Sequence, residues 1–411
     1  MQDLQQRLDE LKATGLHRRM RMVSGPQGPR VVLDGRPVLL LCSNNYLGLA
    51  DHPRVREAAA DAAMRWGVGA GASRLVSGNM TLHRRLEERL AEFAGTEAAV
   101  LFGSGYLANI GVVPALARRG EVVFSDALNH ASIIDGCRLA GADTFVYRHA
   151  DVEHLAWGLR QADGRGALIV TESVFSMDGD VAPLEDIVEL ARRYDVRVMV
   201  DEAHALGALG PDGRGAIPEA GLDGEVDVVV GTLGKSLGSY GAFVACEHVT
   251  ARYLVNSARS LVFATAPPPV AVAAAMAALE LLEEQPRRVE RLQDNADALR
   301  DELAREGFEV AGSSTQIIPL IVGSPELAMR VTEEALEEGV FAQAIRPPTV
   351  PAGTSRLRLA VMASHTRDEL RSAARVLARA ALRAGFRPDT GVPVAAAQSA
   401  RVFDGELPRA A

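Results

Sequence analysis

At 411 residues, with 48% hydrophobic and 24% charged content, the chain is long enough to bury a large core and form two domains, and its composition excludes a disordered protein. Forty-four Lys and Arg against 53 Asp and Glu give a net charge of -9, which argues against nonspecific nucleic-acid binding. Cys42, Cys137 and Cys246 stand far apart, with no CxxC and no His/Cys ligand spacing, so they read as reduced structural thiols, with no metal site.

In chain order, Gln2 to Ala13 has helical periodicity through Leu4, Leu8 and Leu11. The basic cluster Arg18, Arg19 and Arg21 follows, and the whole segment reads as a charged amphipathic helix rather than a signal peptide. No apolar run approaches the length of a membrane span, so the expected compartment is the cytoplasm. Arg30–Cys42 reads as a hairpin turning at Asp34-Gly35, and a helix is expected to begin near Pro53. Gly67–Gly78 contains G-x-G-x-x-A, but after a helical pattern rather than a strand, which rejects dinucleotide binding and leaves a close-approach loop.

From Leu82 strands and helices alternate. Strands are expected at Ala98–Phe102, Glu121–Ser125, Thr144–Tyr147, Ala167–Thr171 and Arg197–Val200, with helices between them. This pattern implies a mostly parallel sheet covered on both faces, whose ligands gather at the carboxyl ends of the strands. The stretch Ala245–Ala264 is mixed, and a long helix is expected from Pro267–Pro269 to Glu284. A smaller α+β domain follows, with strands near Ile317–Val322, Val340–Ala344 and Ser355–Leu359. The expected organisation is an N-terminal arm (1–45), a large domain (46–285), a small domain (286–385) and a tail (386–411).

The chain is organised around Val226–Gly238, VDVVVGTLGKSLG, a buried strand turning sharply to present Lys235. Desolvation lowers the pKa of an amine so placed and makes it a candidate imine-forming nucleophile or proton shuttle. A phosphate loop fails on spacing, because Val229 occupies the position where that pattern needs glycine. A solvated surface lysine remains the alternative until partners are found.

Four further features supply partners. Asp201 ends an apolar strand and could face a protonated ring nitrogen or simply cap the following turn. Gly105-Tyr106 opens a helix whose amides and positive end could hold a phosphate, or could be a plain strand–helix turn. His130 begins the next helix as a ring platform or a structural histidine. Ser176 lies in a loop directly after another strand. Imine, pyridinium partner, phosphate cup and ring stack together are what pyridoxal 5'-phosphate requires.

The segments DALNHASIIDG (126–136), ESVFSMDGD (172–180), VDEAHALGALGPDGRG (200–215) and GTLGKSLG (231–238) resemble those of the α-oxoamine synthases, from the arm to about Ala384. The resemblance implies the aspartate-aminotransferase type of pyridoxal-phosphate fold (fold type I) and a homodimer with its site at the subunit interface. It also implies the decarboxylative condensation of an amino acid with an acyl thioester. SNNYLGLA, GAGASRLVSGNMTLH and AIRPPTVPAGTSRLRL are similar to the branch that joins L-alanine to pimeloyl-CoA or a pimeloyl carrier protein in biotin biosynthesis. SDALNHASIIDG and GTLGKSLG are similar also to the glycine- and acetyl-CoA-using 2-amino-3-oxobutyrate ligases.

By this resemblance Lys235 carries the cofactor, Asp201 holds the ring-nitrogen proton and His130 stacks on the ring. His204 and Ser176 bind the phenolic oxygen side. Gly105, Tyr106 and Thr232 take the phosphate, with Thr265 reaching it from the second subunit. Asn44 lines the site, Arg358 grips the amino-acid carboxylate, and Thr349 with Arg18 (or Arg19) contacts the acyl substrate.

Overall fold

A computed structural model of the chain describes residues 3–310 and 312–388. Most of the tail expected at 386–411 lies outside the described residues. In chain order the first strands are β1 (Val23–Ser24), β2 (Arg30–Leu33), β3 (Arg36–Leu40) and β4 (Ala98–Phe102). Then come β5 (Val122–Asp126), β6 (Asp143–Tyr147), β7 (Gly166–Glu172), β8 (Arg197–Asp201), β9 (Val228–Thr232) and β10 (Ala242–Cys246). The last are β11 (Ile317–Gly323), β12 (Val340–Phe341), β13 (Gln343–Ile345) and β14 (Ser355–Ala360). The chain divides into two units, one of residues 47–176 and 180–290, the other of the described residues up to 46, 177–179 and from 291 onward.

The first unit is built on a seven-stranded sheet of order β4-β10-β9-β8-β7-β5-β6. Strands β9, β8, β7, β5 and β6 are mutually parallel, and β10 is antiparallel to both of its neighbours. Strand β4, antiparallel to β10, therefore runs in the direction of β9, and six strands deliver their carboxyl ends to one edge. The sequences fit the position: β5 (VVFSD) and β9 (VVVGT) are buried at every residue, as strands covered on both faces must be.

The helices show why their segments fold as they do. Leu184–Tyr194 buries Leu184, Ile187, Val188, Leu190 and Ala191, carries Glu185 and Asp186 in its first turn and Arg192 and Arg193 in its last, and ends at a left-handed Asp195. The charges complement the helix dipole at both ends. Gly158 lets the helix Val152–Gln161 lie on the sheet, since a Cβ there would stand 2.3 Å from the Phe145 ring. Burial pushes the Cys137 and Cys246 thiols up to about 11 and about 12, as inert core groups.

The second unit holds two small sheets, β1-β2-β3-β12 and β11-β14-β13, over a core that includes Leu41, Leu299, Leu320, Leu357, Leu359 and Leu377. The Asp34-Gly35 hairpin forms with both turn residues at positive φ. The single strand expected at Val340–Ala344 is in fact two. Strand β12 pairs in parallel with β3, and β13 pairs antiparallel with β14, so the chain changes sheets at Ala342.

Candidate active site

The carboxyl edge of the large sheet gathers the chemistry. After β9 the backbone closes a tight loop, with Gly238 N–H donating to Lys235 O and Ser239 N–H to Leu233 O at 2.9 and 2.8 Å. Gly238 has φ 59°, and a Cβ there would stand 2.4 Å from Ala50 N, so only glycine closes this turn. The loop aims Lys235 at the segment after β8, where Lys235 Nζ and His204 Nε2 share a 2.8 Å hydrogen bond. Thr232, at the end of β9, donates its hydroxyl to Gly241 O.

Asp201 is 5% exposed and does two things at once. Its Oδ1 accepts the Ala203 N–H at 2.9 Å, which caps the turn, and its Oδ2 accepts the Asn109 side-chain amide at 2.8 Å. His130 is likewise both cap and candidate platform: its Nδ1 accepts the Ser132 N–H at the start of the helix Ala131–Ala140. Desolvation lowers the His130 pKa; the Asp201 charge opposes that and the Lys235 charge adds to it. The residue nonetheless keeps solvent access.

Glu172, which opens ESVFSMDGD, is a buried carboxyl at the same sheet edge that the motifs did not single out. It stands opposite Asp201 in the β7–β8 ladder, is 3% exposed, and its Oε1 is buried without a partner. Burial, then the Asp201 charge, push its carboxyl up to about 8 against the pull of Lys235 and the N–H groups of Ser176 and His130. Asn109 and Ser132 were also unmarked in the sequence, for a lone Asn inside an apolar helix pattern carries no motif.

Gly105 and Tyr106 begin the helix Gly105–Leu116 at the end of β4, with Ser104 capping through its hydroxyl to Leu107 N–H. The first two helical amides have no acceptor within the helix and no capping bond from Ser104, so they are available to an anion. The Tyr106 hydroxyl donates to Asp135 at 2.5 Å. Ser176 is buried in the turn that follows β7. Thr265 is exposed and forms an isolated antiparallel bridge with Ser73.

In the other unit Arg358 lies on β14, 6% exposed, which excludes a surface ion pair. Its guanidinium donates to Asn44 Oδ1 at 3.2 Å and to the Tyr46 hydroxyl at 3.4 Å, while Tyr46 donates to Asn44 at 3.1 Å. These two acceptors are neutral and orient the planar fork. Arg18 and Thr349 line one cavity of about 610 Å³ with Arg19, Arg21 and Arg346. Arg19 is tied to Asp34 at 3.1 Å, and desolvation together with the Arg18 charge lowers the pKa of Arg346. The cavity is cationic, as an anionic acyl donor would need.

The large-sheet residues fit pyridoxal phosphate. A lysine amine, a strand-end aspartate, acceptor-free helix amides and a histidine at one sheet edge are the donor set that this cofactor requires. Residues 36–377 match the family Aminotransferase class I and II. The chain is 51% identical over 380 residues to 8-amino-7-oxononanoate synthase of Citrifermentans bemidjiense, spanning 92% of this chain and 97% of the relative. It is 52% identical over 375 residues to that of Geobacter sulfurreducens, spanning 90% and 96%. A serine palmitoyltransferase from S. paucimobilis, solved with a bound PLP–myriocin aldimine, superposes with a TM-score of 0.89 at 33% identity over 93% of this chain and 100% of that one. The chain belongs to the α-oxoamine synthase family of fold type I, pyridoxal-phosphate-dependent acyltransferases.

Proposed function

We propose that the chain condenses L-alanine with a pimeloyl thioester, carried by CoA or acyl carrier protein, giving 8-amino-7-oxononanoate, carbon dioxide and free thiol in biotin biosynthesis. The observation that carries this reading is the Lys235–His204 hydrogen bond at the sheet edge that also presents Asp201. It occurs in a chain 51% and 52% identical to synthases of that description. The bound cofactor supplies an electron sink for the charge that develops at the amino-acid Cα.

The protein's own residues do the rest. Lys235 anchors the cofactor through Nζ and moves the proton at Cα, a general acid–base role for which its bond to His204 sets direction. Asp201 holds the ring-nitrogen proton and His130 covers the ring. Ser176 and His204 take the phenolic oxygen side, and Gly105, Tyr106 and Thr232 take the phosphate. The Arg358 fork grips the alanine carboxylate beside Asn44, and Arg18 with Thr349 holds the acyl donor. In this reading the enzyme is a cytoplasmic homodimer, with Thr265 contributed by the second subunit; among the described residues no helix is long and apolar enough to cross a membrane.

The test is thiol release by the pyridoxal-phosphate-loaded protein. L-alanine with pimeloyl-CoA, or with pimeloyl carrier protein, is expected to release thiol far faster than glycine with acetyl-CoA. Preference for the second pair would overturn the substrate assignment and make the chain a 2-amino-3-oxobutyrate ligase, with the same lysine and aspartate at work.

A further inference from the structure

Two contacts that the cofactor reading keeps separate are joined by buried hydrogen bonds. Asn109, 1% exposed, spends its side-chain amide twice, on Asp201 Oδ2 at 2.8 Å and on Ser132 Oγ at 2.9 Å. Ser132, fully buried, places its Oγ 2.7 Å from His130 Nδ1. The direction of every bond follows from the ends. A carboxylate only accepts, so the Asn109 group facing Asp201 is NH2, and its second N–H must donate to Ser132. Ser132 Oγ has then received a proton donor and turns its own hydroxyl hydrogen to His130. His130 Nδ1 accepts that hydroxyl and the Ser132 N–H, so the ring proton resides on Nε2.

The network leaves a mark of its cost. Asn109 Oδ1 is buried with no hydrogen-bond partner, and a fold seeking stability alone would place an apolar side chain there. We propose that Asn109 and Ser132 are positioning residues that bind Asp201 and His130 into one unit, holding His130 as the neutral Nε2–H tautomer while keeping Asp201 aimed at a ring nitrogen. The inference rests on the cofactor roles given above to Asp201 and His130. Its chemical sense is electrostatic: an imidazolium stacked on a ring whose nitrogen must stay protonated would repel that proton, whereas a neutral imidazole does not. The groups facing His130 are Asp201 from the end of β8, Lys235 from the loop after β9 and the Glu172 carboxyl at the end of β7. Burial and the lysine oppose a charged imidazole and the Asp201 charge favours it, while the Glu172 carboxyl, pushed up to about 8, stays neutral at pH 7; the fixed donor to Nδ1 adds its weight to the neutral ring.

The test uses full-length protein with 15N-labelled histidine, first without cofactor and then loaded. In the wild type the His130 signal is expected to report the Nε2–H tautomer, unprotonated at neutral pH. Ser132→Ala removes one hydroxyl and Asn109→Leu removes the whole link. Either is expected to raise the His130 pKa by about one unit, a tenfold change in its protonation constant, and to move the pH midpoint of the loaded enzyme's visible absorption in the same experiment. Ser132→Thr, which restores a hydroxyl, is expected to return both toward wild type. Should Asn109→Leu not fold, Ser132→Ala decides alone. Unchanged His130 shifts in a folded Ser132→Ala protein would overturn the proposal even if the wild type binds cofactor and turns over. A wild type that takes up no pyridoxal phosphate would instead sink the cofactor roles, and with them the purpose inferred here, while the nitrogen shifts still report the network itself.

Discussion

Glu172 and Asp201 are neighbours across the β7–β8 ladder, and two adjacent buried carboxylates cannot both ionise cheaply. Each oxygen of Asp201 accepts an N–H, whereas Oε1 of Glu172 is buried without a partner; burial and the Asp201 charge outweigh the Ser176 and His130 N–H groups and put the proton on Glu172. Its carboxyl stays neutral up to about 8 in the folded chain, against 4.5 when unfolded. The sign is then set: as pH rises from 4.5 to about 8 the unfolded state gives up a proton that the folded state keeps, so this residue erodes stability over that window and adds nothing further above it. Glu172→Gln mimics the neutral acid. The melting temperature of its cofactor-free form is expected to gain on wild type steadily between pH 5 and pH 8, and a constant offset across those pH values would refute the assignment. Lys235 and Asp201 were legible because each ends an apolar run with a residue that such a run does not tolerate idly. Asn109 and Glu172 were not, because what matters about them is a partner 92 and 29 residues away, on a neighbouring element.

At the scale of elements, the loop after β7 that presents Ser176 is closed by the Val174–Val181 bridge and by Phe175 N–H donating to Asp180 O at 2.9 Å. His149 pins it to the sheet, with Nδ1 2.9 Å from Asp126 at the end of β5, Nε2 2.7 Å from Asp180, and its ring edge-on to Phe175. Burial opposes a charge there, but the hydrogen bonds and charges of the two aspartates outweigh it and push the imidazole up to about 10. A raised histidine pKa stabilises fully below the unfolded value of 6.5 and loses that contribution as pH rises through about 10. His149→Asn breaks a buried ion cluster and is expected to cost about 3–5 kcal/mol at pH 6, measured by urea denaturation. The penalty should shrink toward pH 10; an undiminished one would mean that packing rather than charge holds the loop. Sequence periodicity located nearly every element of this sheet because parallel strands alternate with amphipathic helices. It assigned no strand at β10, most of which precedes the stretch read as mixed, since a central antiparallel strand buried on both faces, GAFVAC, shows no alternation. It merged β12 with β13 because a change of sheets at one alanine leaves no turn residue behind.

Across the whole molecule the proposed roles divide as the chain divides. Lys235, Asp201, His130, His204 and Ser176 belong to the unit built on the seven-stranded sheet, and Arg358, Asn44, Arg18 and Thr349 to the unit of residues up to 46 and from 291 onward. If the first group holds the cofactor and the second the substrates, their variants separate in kinetics and in spectrum. Asp201→Asn is expected to change the visible absorption of the bound cofactor and to lower kcat by about 10²–10⁴-fold, with the alanine KM changed little. Arg358→Lys keeps the charge but loses the planar fork that Asn44 and Tyr46 orient, and a hydrogen bond to a charged group is worth about 1.5–3 kcal/mol, or roughly 10–100-fold. It should therefore raise the alanine KM by that factor while the cofactor absorption stays as in wild type. An Arg358→Lys protein with an altered cofactor spectrum and an unchanged alanine KM would place this arginine on the cofactor instead, and the division of labour between the two units would fall.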